Sequence, residues 1–322
     1  MTDQAAVTGT GGRLVTLGET IALLTPVEAG PLHHTRLMRL GIGGSETNVA
    51  IGVRRLGAQA AWIGRVGQDE FGDLIVRELR AETVEAHVIR DAAPTGFMIK
   101  TRRTPDHVRV LYYRKGSAGS RLVPDDIDGS VIPSADILHI TGITPALGPG
   151  PAAAVRAAVE LAAAAGVLVS FDVNFRASLW DSAQAARELR DLVQRADLVF
   201  AGEQEAWLFV DQAPARQTAV AMSRLGPSQV IIKYGRAGVV GLIDGDIYTA
   251  PAHVVSTVDP VGAGDAFVAG YLAELLAGAG PEQRLATATA SGALAVTSAG
   301  DWEGLPTRED LNLLASSDSV AR

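Results

Sequence analysis

Apolar residues fall along the chain in two alternating kinds of run. Short continuous apolar runs stand at 14–17, 60–66, 137–140, 167–173, 198–201, 230–234 and 239–243. Runs of that kind mark strands that are covered on both faces. Between many of them lie amphipathic or alanine-rich stretches of helical length, at 45–56, 71–82, 151–165, 182–195 and 215–225. Strand–helix alternation with apolar strands predicts an α/β fold, a mostly parallel sheet with helices on both faces. The part from 266 to 299 is helix-rich.

Two segments break that rhythm. Residues 19–40 and 94–121 contain no good helix. The second alternates as strands do, in Thr95-Gly-Phe-Met-Ile-Lys-Thr-Arg and again in His107-Val-Arg-Val-Leu-Tyr-Tyr-Arg, with a turn-like Thr104-Pro-Asp between them. Both segments predict a small sheet projecting from the main body, either a lid or an oligomer contact. Its edge would need covering, so a second copy of the chain is an expected partner, in a homodimer or a larger homo-oligomer.

Composition narrows the function classes. The 322 residues are 47% hydrophobic and 20% charged, the balance of an ordinary globular chain with a substantial core. A net charge of −8 disfavours a nucleic-acid partner, although one pocket can still carry local positive charge. With no cysteine, disulfides, thiolate zinc sites and cysteine nucleophiles are all excluded. No apolar stretch reaches the about 18 residues of a membrane span. The first twelve residues, MTDQAAVTGTGG, read as a flexible tail without a signal peptide, so a cytoplasmic protein is expected.

Several nucleotide and hydrolase signatures are missing. There is no GxxxxGK[ST] and no GxGxxG: Gly9–Gly12 precedes the first strand, and Gly41–Gly44 lacks the third glycine. The six histidines show no zinc spacing, and His139, inside an apolar run, reads as a core residue. No GxSxG elbow occurs.

The informative segment is Asp259-Pro-Val-Gly-Ala-Gly-Asp-Ala-Phe. A turn passes through two glycines into an apolar helix. Unpaired amides at a helix start carry partial positive charge, and glycines let a ligand come close. The result is an anion pocket without a P-loop. Asp265, in the first turn, is a poor neighbour for phosphate unless it works as a general base on a substrate hydroxyl. Taken alone, it could equally be a capping residue.

A second segment tips that balance. Gly41-Ile-Gly-Gly-Ser-Glu-Thr-Asn runs into a helix and is followed by Gly64-Arg-Val-Gly-Gln-Asp-Glu-Phe-Gly. Together with GAGDxF at 262–267, these segments resemble the two signatures of the ribokinase-like (PfkB) carbohydrate kinases, matched at Gly43, Gly44, Asn48, Gly64, Gly67, Asp69 and Gly72. The resemblance runs from about residue 14 to 314. It implies a three-layer α/β/α sandwich with a small β-sheet lid, one kinase domain over 13–314, with lid segments at 19–40 and 94–121. It also implies Asp265 as catalytic base, with the amides of Gly262, Ala263 and Gly264 stabilising the transferring phosphoryl group.

Within the family, Tyr112-Tyr-Arg-Lys-Gly-Ser, Gly142-Ile-Thr-Pro-Ala-Leu, Asp172-Val-Asn-Phe-Arg and Gly300-Asp-Trp-Glu-Gly look like the kinases of 2-keto-3-deoxygluconate. A sugar acid needs a cation for its carboxylate, and arginine binds one with charge-assisted hydrogen bonds. Arg114 and Arg176 are the candidates; without the resemblance they read as a solvated edge charge and a surface capping residue. The resemblance adds Gly43, Gly44, Asn48, Met98, Tyr112, Ile143 and Asp301 to the sugar site. Strand alternation lets only one of Tyr112 and Tyr113 face the sugar, and the resemblance favours Tyr112. For ATP it points to Asn174, Arg176, Lys233, Gly235, Gly238, Gly262, Gly264 and Thr289. Glu205 would organise Mg²⁺ through water, and K⁺ is a further candidate ion. The chain departs from the pattern at Gly202 (for Asn of N-x-x-E), Met98 and Phe175 (each for Tyr).

Overall fold

The computed structural model describes residues 11–104 and 107–314. The turn expected at Pro105-Asp106 and the tail up to residue 10 lie outside the described residues. The chain begins with β1 (Arg13–Leu17), β2 (Ile21–Pro26) and β3 (Met38–Gly43), then α1 (Ser45–Arg55), β4 (Gln59–Gly67), α2 (Glu70–Ala81) and β5 (Glu85–Asp91). Next come β6 (Phe97–Thr104), β7 (His107–Tyr113), β8 (Ile137–Thr141), α3 (Ile143–Ala146), α4 (Pro149–Ala165), β9 (Leu168–Asp172), α5 (Ser182–Arg195) and β10 (Leu198–Gly202). The rest is α6 (Glu203–Ala206), α7 (Ala215–Ser223), β11 (Gln229–Lys233), β12 (Val239–Ile243), β13 (Asp246–Ala250), α8 (Ala263–Leu276) and α9 (Pro281–Ala295).

Nine of these strands form one sheet in the order β13-β12-β11-β10-β9-β8-β1-β4-β5. From β11 to β5 all pairings are parallel; β12 pairs antiparallel with both β11 and β13, so it alone runs against the other strands of the sheet. Successive strand residues alternate between the two faces. Leu14, Leu198 and Ile231 join one core with α1, α2, α8 and α9, while Val15, Val199 and Val230 join another with α4, α5 and α7. The architecture is therefore the expected α/β/α sandwich. His139 is buried in this sheet, with Nδ1 3.0 Å from Ser170 Oγ; burial holds its pKa down at about 3.

The four remaining strands form the small sheet, in the order β3-β2-β6-β7. The first lid segment is longer than the expected 19–40, because β3 continues to Gly43. Only Gly44 separates it from α1, so the lid feeds directly into a helix of the main body. Strands β5 and β13 were not anticipated. Both are sheet edges, only partly buried, and carry few strongly apolar residues between the exposed charges Glu85 and Arg90 of β5 and after Asp246 of β13.

Candidate active site

A cleft of about 400 Å³ opens where the carboxyl ends of the parallel strands meet the lid, the usual place for a ligand in an open α/β sheet. Helix α8 enters it amino end first. Its N-cap Gly262 has φ +84°, and a Cβ there would collide with the carbonyl of Asp301, so backbone and neighbour both require glycine. At Gly43 a side chain would run into Asp301 and Met98.

Asp265 does not cap its own helix. Its Oδ1 accepts a hydrogen bond from Ser45 Oγ and its Oδ2 one from Asn48 Nδ2, each 2.7 Å long and each from the first turn of α1. Asn48 Nδ2 also donates to Asp301 Oδ2 at 3.2 Å. Asn174, held at φ +42°, donates to Ser45 Oγ at 2.8 Å. The amide nitrogen of Asn48 serves two carboxylates, while its Oδ1 is buried and has no partner among the described residues. Burial raises the pKa of Asp265, while hydrogen bonds from Ser45 and Asn48 and the charges of Arg176 and Lys233 restrain the rise. Burial also pushes Asp301 up to about 6, against the attraction of Lys100.

The two arginines differ. Arg114 Nε donates to Glu19 Oε2 at 2.6 Å, and Glu19 is buried and also accepts from Ser117 Oγ. The guanidinium lies 5.6 Å from the Tyr112 ring centroid. Its charge is thus already matched. Arg176 is exposed in the cleft mouth and has no carboxylate partner among the described residues; its Nη1 donates to the Phe175 carbonyl at 3.2 Å. Tyr112 faces the cleft, whereas Tyr113 stacks on Phe97 with centroids 4.7 Å apart.

Glu205 keeps its place without the missing asparagine. Its Oε2 accepts from the amide of Gly202 at 2.6 Å and its Oε1 from that of Phe175 at 2.8 Å. Lys233 Nζ contacts both oxygens of Asp172 at 3.0 Å. Burial works against this ammonium, but the charges of Asp172 and Glu205 outweigh it and hold its pKa above the ordinary lysine value.

A second cleft, of about 590 Å³, shares Lys233, Pro260 and Gly264 with the first. Its walls are the β11–β12 turn and α9, with valine, alanine and glycine prominent and no acidic residue. Thr289 lies here, its hydroxyl 3.0 Å from the carbonyls of Leu285 and Ala286.

Every residue assigned from the sequence to the sugar, nucleotide or metal lines one of these clefts; the matched signature positions Gly64, Gly67, Asp69 and Gly72 do not, and Asp69 instead caps α2 by accepting from the Gly72 amide at 2.8 Å. Gly43, Gly44, Asn48, Met98, Tyr112, Arg114, Ile143, Asn174, Arg176, Glu205, Gly262, Asp265 and Asp301 are in the first, and Ala263, Gly235, Gly238 and Thr289 are in the second. The sequence reading missed Glu19, Ser45, Glu46, Lys100 and Asp172, all in the wall of the first cleft. Ser45 and Glu46 stand inside the quoted glycine segment and could have been found from it. Glu19 and Lys100 gave no local signal, because their partners are remote in sequence.

A profile of the pfkB family carbohydrate kinases matches residues 12–308. The chain belongs to this family. The kinase is 39% identical to the 2-dehydro-3-deoxygluconokinase of Thermoproteus tenax, over 94% of each chain. It is 36% identical to that of Bacillus subtilis, over 92% of this chain and 93% of the relative. The crystal structure of the Thermotoga maritima 2-dehydro-3-deoxygluconokinase superposes with a TM-score of 0.87 at 25% identity, covering 95% of this kinase and 99% of that chain.

Proposed function

We propose that this kinase transfers the γ-phosphoryl group of ATP to the terminal C6 hydroxyl of 2-keto-3-deoxy-D-gluconate, giving the 6-phosphate and ADP. The observation that carries the reading is Asp265, held by Ser45 and Asn48 where an acid-free cleft meets a polar one. The names of the relatives at 36% and 39% identity support the same sugar. Arg176 supplies the uncommitted cation for the sugar carboxylate, and Arg114, neutralised by Glu19, shapes the pocket beside it.

In this reading Asp265 accepts the proton of the C6 hydroxyl as that oxygen attacks the γ-phosphorus. Its raised pKa makes the carboxylate a better base than a solvated one. The Gly262–Gly264 amides and the amino end of the 14-residue α8 receive the negative charge of the transferring group. Lys233, present in both clefts, balances the phosphates. Among the described residues no cluster of three or more metal-ligating side chains exists. That suits Mg²⁺, which keeps much of its water and binds mainly through phosphate oxygens. Glu205 would hold it through water, and the ion would neutralise β- and γ-phosphate charge.

The lid is also our candidate contact between copies. Val27, Leu37, Met38 and Leu40 are exposed on or beside its edge strand β3, and a homodimer would cover them. Use of ATP fits a cytoplasmic enzyme.

The test is ADP release from Mg·ATP over a panel of 2-keto-3-deoxygluconate, 2-keto-3-deoxygalactonate, 2-ketogluconate, fructose and ribose, with and without KCl. A keto-deoxy acid should be preferred, and Arg176→Ala should raise its KM by about 10–100-fold, the worth of a charged hydrogen bond. Preference for a neutral sugar would refute the substrate assignment.

A further inference from the structure

Strand β6 puts Met98, Lys100 and Arg102 on one face, since alternate strand residues point the same way. Met98 lines the sugar cleft, and so does Lys100. Lys100 is only 3% exposed, a costly place for an ammonium unless it is fully matched. Its Nζ pairs with Asp259 Oδ2 at 2.8 Å and donates to the carbonyl of Gly300. Asp259 is equally buried, and its carboxylate also accepts the amides of Val261 at 3.2 Å and Gly300 at 3.4 Å. One step along the same strand face, Arg102 Nη2 donates to the Val258 carbonyl at 2.6 Å.

The segments gripped in this way are those that deliver the reacting groups. The stretch 258–261 leads straight into Gly262 and α8, and Gly300 immediately precedes Asp301. One ammonium therefore joins the lid, the entrance to the anion pocket and the loop of Asp301. A buried ion pair contributes little net stability over an apolar pair of the same shape. Its value here lies in register. Misplacing reacting groups by about 1 Å can cost about 10²-fold in rate.

We propose that Lys100 is a positioning residue for phosphoryl transfer. Through Asp259 and Gly300 it fixes the lid, and the sugar beneath it, against the Gly262–Gly264 amides and Asp265. The proposal rests on the reading of Asp265 as base and adds a residue that acts on it from the lid.

Lys100→Ala and Lys100→Met test it. The first leaves a hole beside the Asp259 carboxylate; the second fills the hole without the charge. Both should lower kcat by about 10–100-fold, with KM for ATP within about threefold of wild type. Added ethylammonium should restore most of the loss in the alanine variant, which has room for it, and none in the methionine variant. A kcat within about threefold of wild type in both variants would overturn the proposal. So would a lowered Tm with unchanged kcat per folded enzyme, or a rescue that does not distinguish the two variants. Should neither fold, Lys100→Gln replaces them, with the same expected loss of kcat and the same overturning result. Asp265→Asn is assayed alongside. Turnover retained there would undo the base assignment, while selective rescue by the cation would still report on Lys100 itself.

Discussion

The first cleft, where we place the sugar, gathers Glu19, Glu46, Asp172, Glu205, Asp265 and Asp301 into about 400 Å³, with Lys100, Arg114, Arg176 and Lys233 among them. The second, where we place the nucleotide, is larger, about 590 Å³, and has no carboxylate in its wall among the described residues. They touch at Lys233, Pro260 and Gly264. In the proposed reading the first cleft selects by charge and hydrogen bonds, since most of its charged side chains are held by named partners. In the same reading the second selects mainly by shape, with Lys233 and Arg236 in its wall to face the phosphates of ATP. Losses in the first should therefore be large and chemically specific, and losses in the second small and steric.

The largest expected effect is at Asp265. Asp265→Asn should lower kcat by about 10²–10⁴-fold, the usual worth of a general base, with ATP affinity by calorimetry within about twofold. A comparable fall in ATP affinity would mean that the two clefts are not separable. Next is Arg114→Ala, which strands the buried Glu19 and should cost about 3–5 kcal/mol in thermal unfolding. Glu19→Gln in the same chain should restore much of it. Unchanged stability in the single variant would return Arg114 to the role of carboxylate receptor.

Asp301 offers a pH test. Its pKa is about 6 when folded against 3.8 for the ordinary carboxyl, so the folded chain binds this proton more tightly than the unfolded one. Stability contributed by the protonated carboxyl is therefore lost as pH rises from 3.8 through 6, and the penalty is full above that. Asp301→Asn should stabilise the kinase by about 1–3 kcal/mol at pH 8, with the gain shrinking toward pH 4, while turnover falls. A gain independent of pH would exclude a charge effect. The smallest effect belongs to the second cleft. Thr289→Val removes a hydroxyl already turned onto its own helix, so KM for ATP should stay within about twofold. A tenfold rise would show that the second cleft also reads hydrogen bonds.

What could be read from the sequence follows the same divide. The apolar runs at 60–66 and 230–234 gave their strands because a doubly covered strand must be apolar throughout. Strand β5, Glu-Ala-His-Val-Ile-Arg-Asp, escaped because an edge strand needs no such run. In the site, the segment of Gly262 and Asp265 pointed to an anion pocket by itself, but only the family resemblance favoured Asp265 as a base over a cap. The partnerships Arg114–Glu19 and Lys100–Asp259 did not, since each joins a lid residue to a remote one through burial that only the folded chain reveals. The Arg114 pairing also changes the expectation that both arginines are free for a substrate carboxylate. The substitution of Gly202 for asparagine matters less than its motif position suggests, because main-chain amides hold Glu205.

Strand β3 and helix α1 are separated by one residue, Gly44. The roof over the sugar and the helix that supplies Ser45 and Asn48 to Asp265 are thus a single lever with almost no slack. Whatever props the roof up pulls on the two donors that aim the base. If Asp265 is the base we propose, a roof raised far enough to admit water would also carry Ser45 and Asn48 away from its carboxylate.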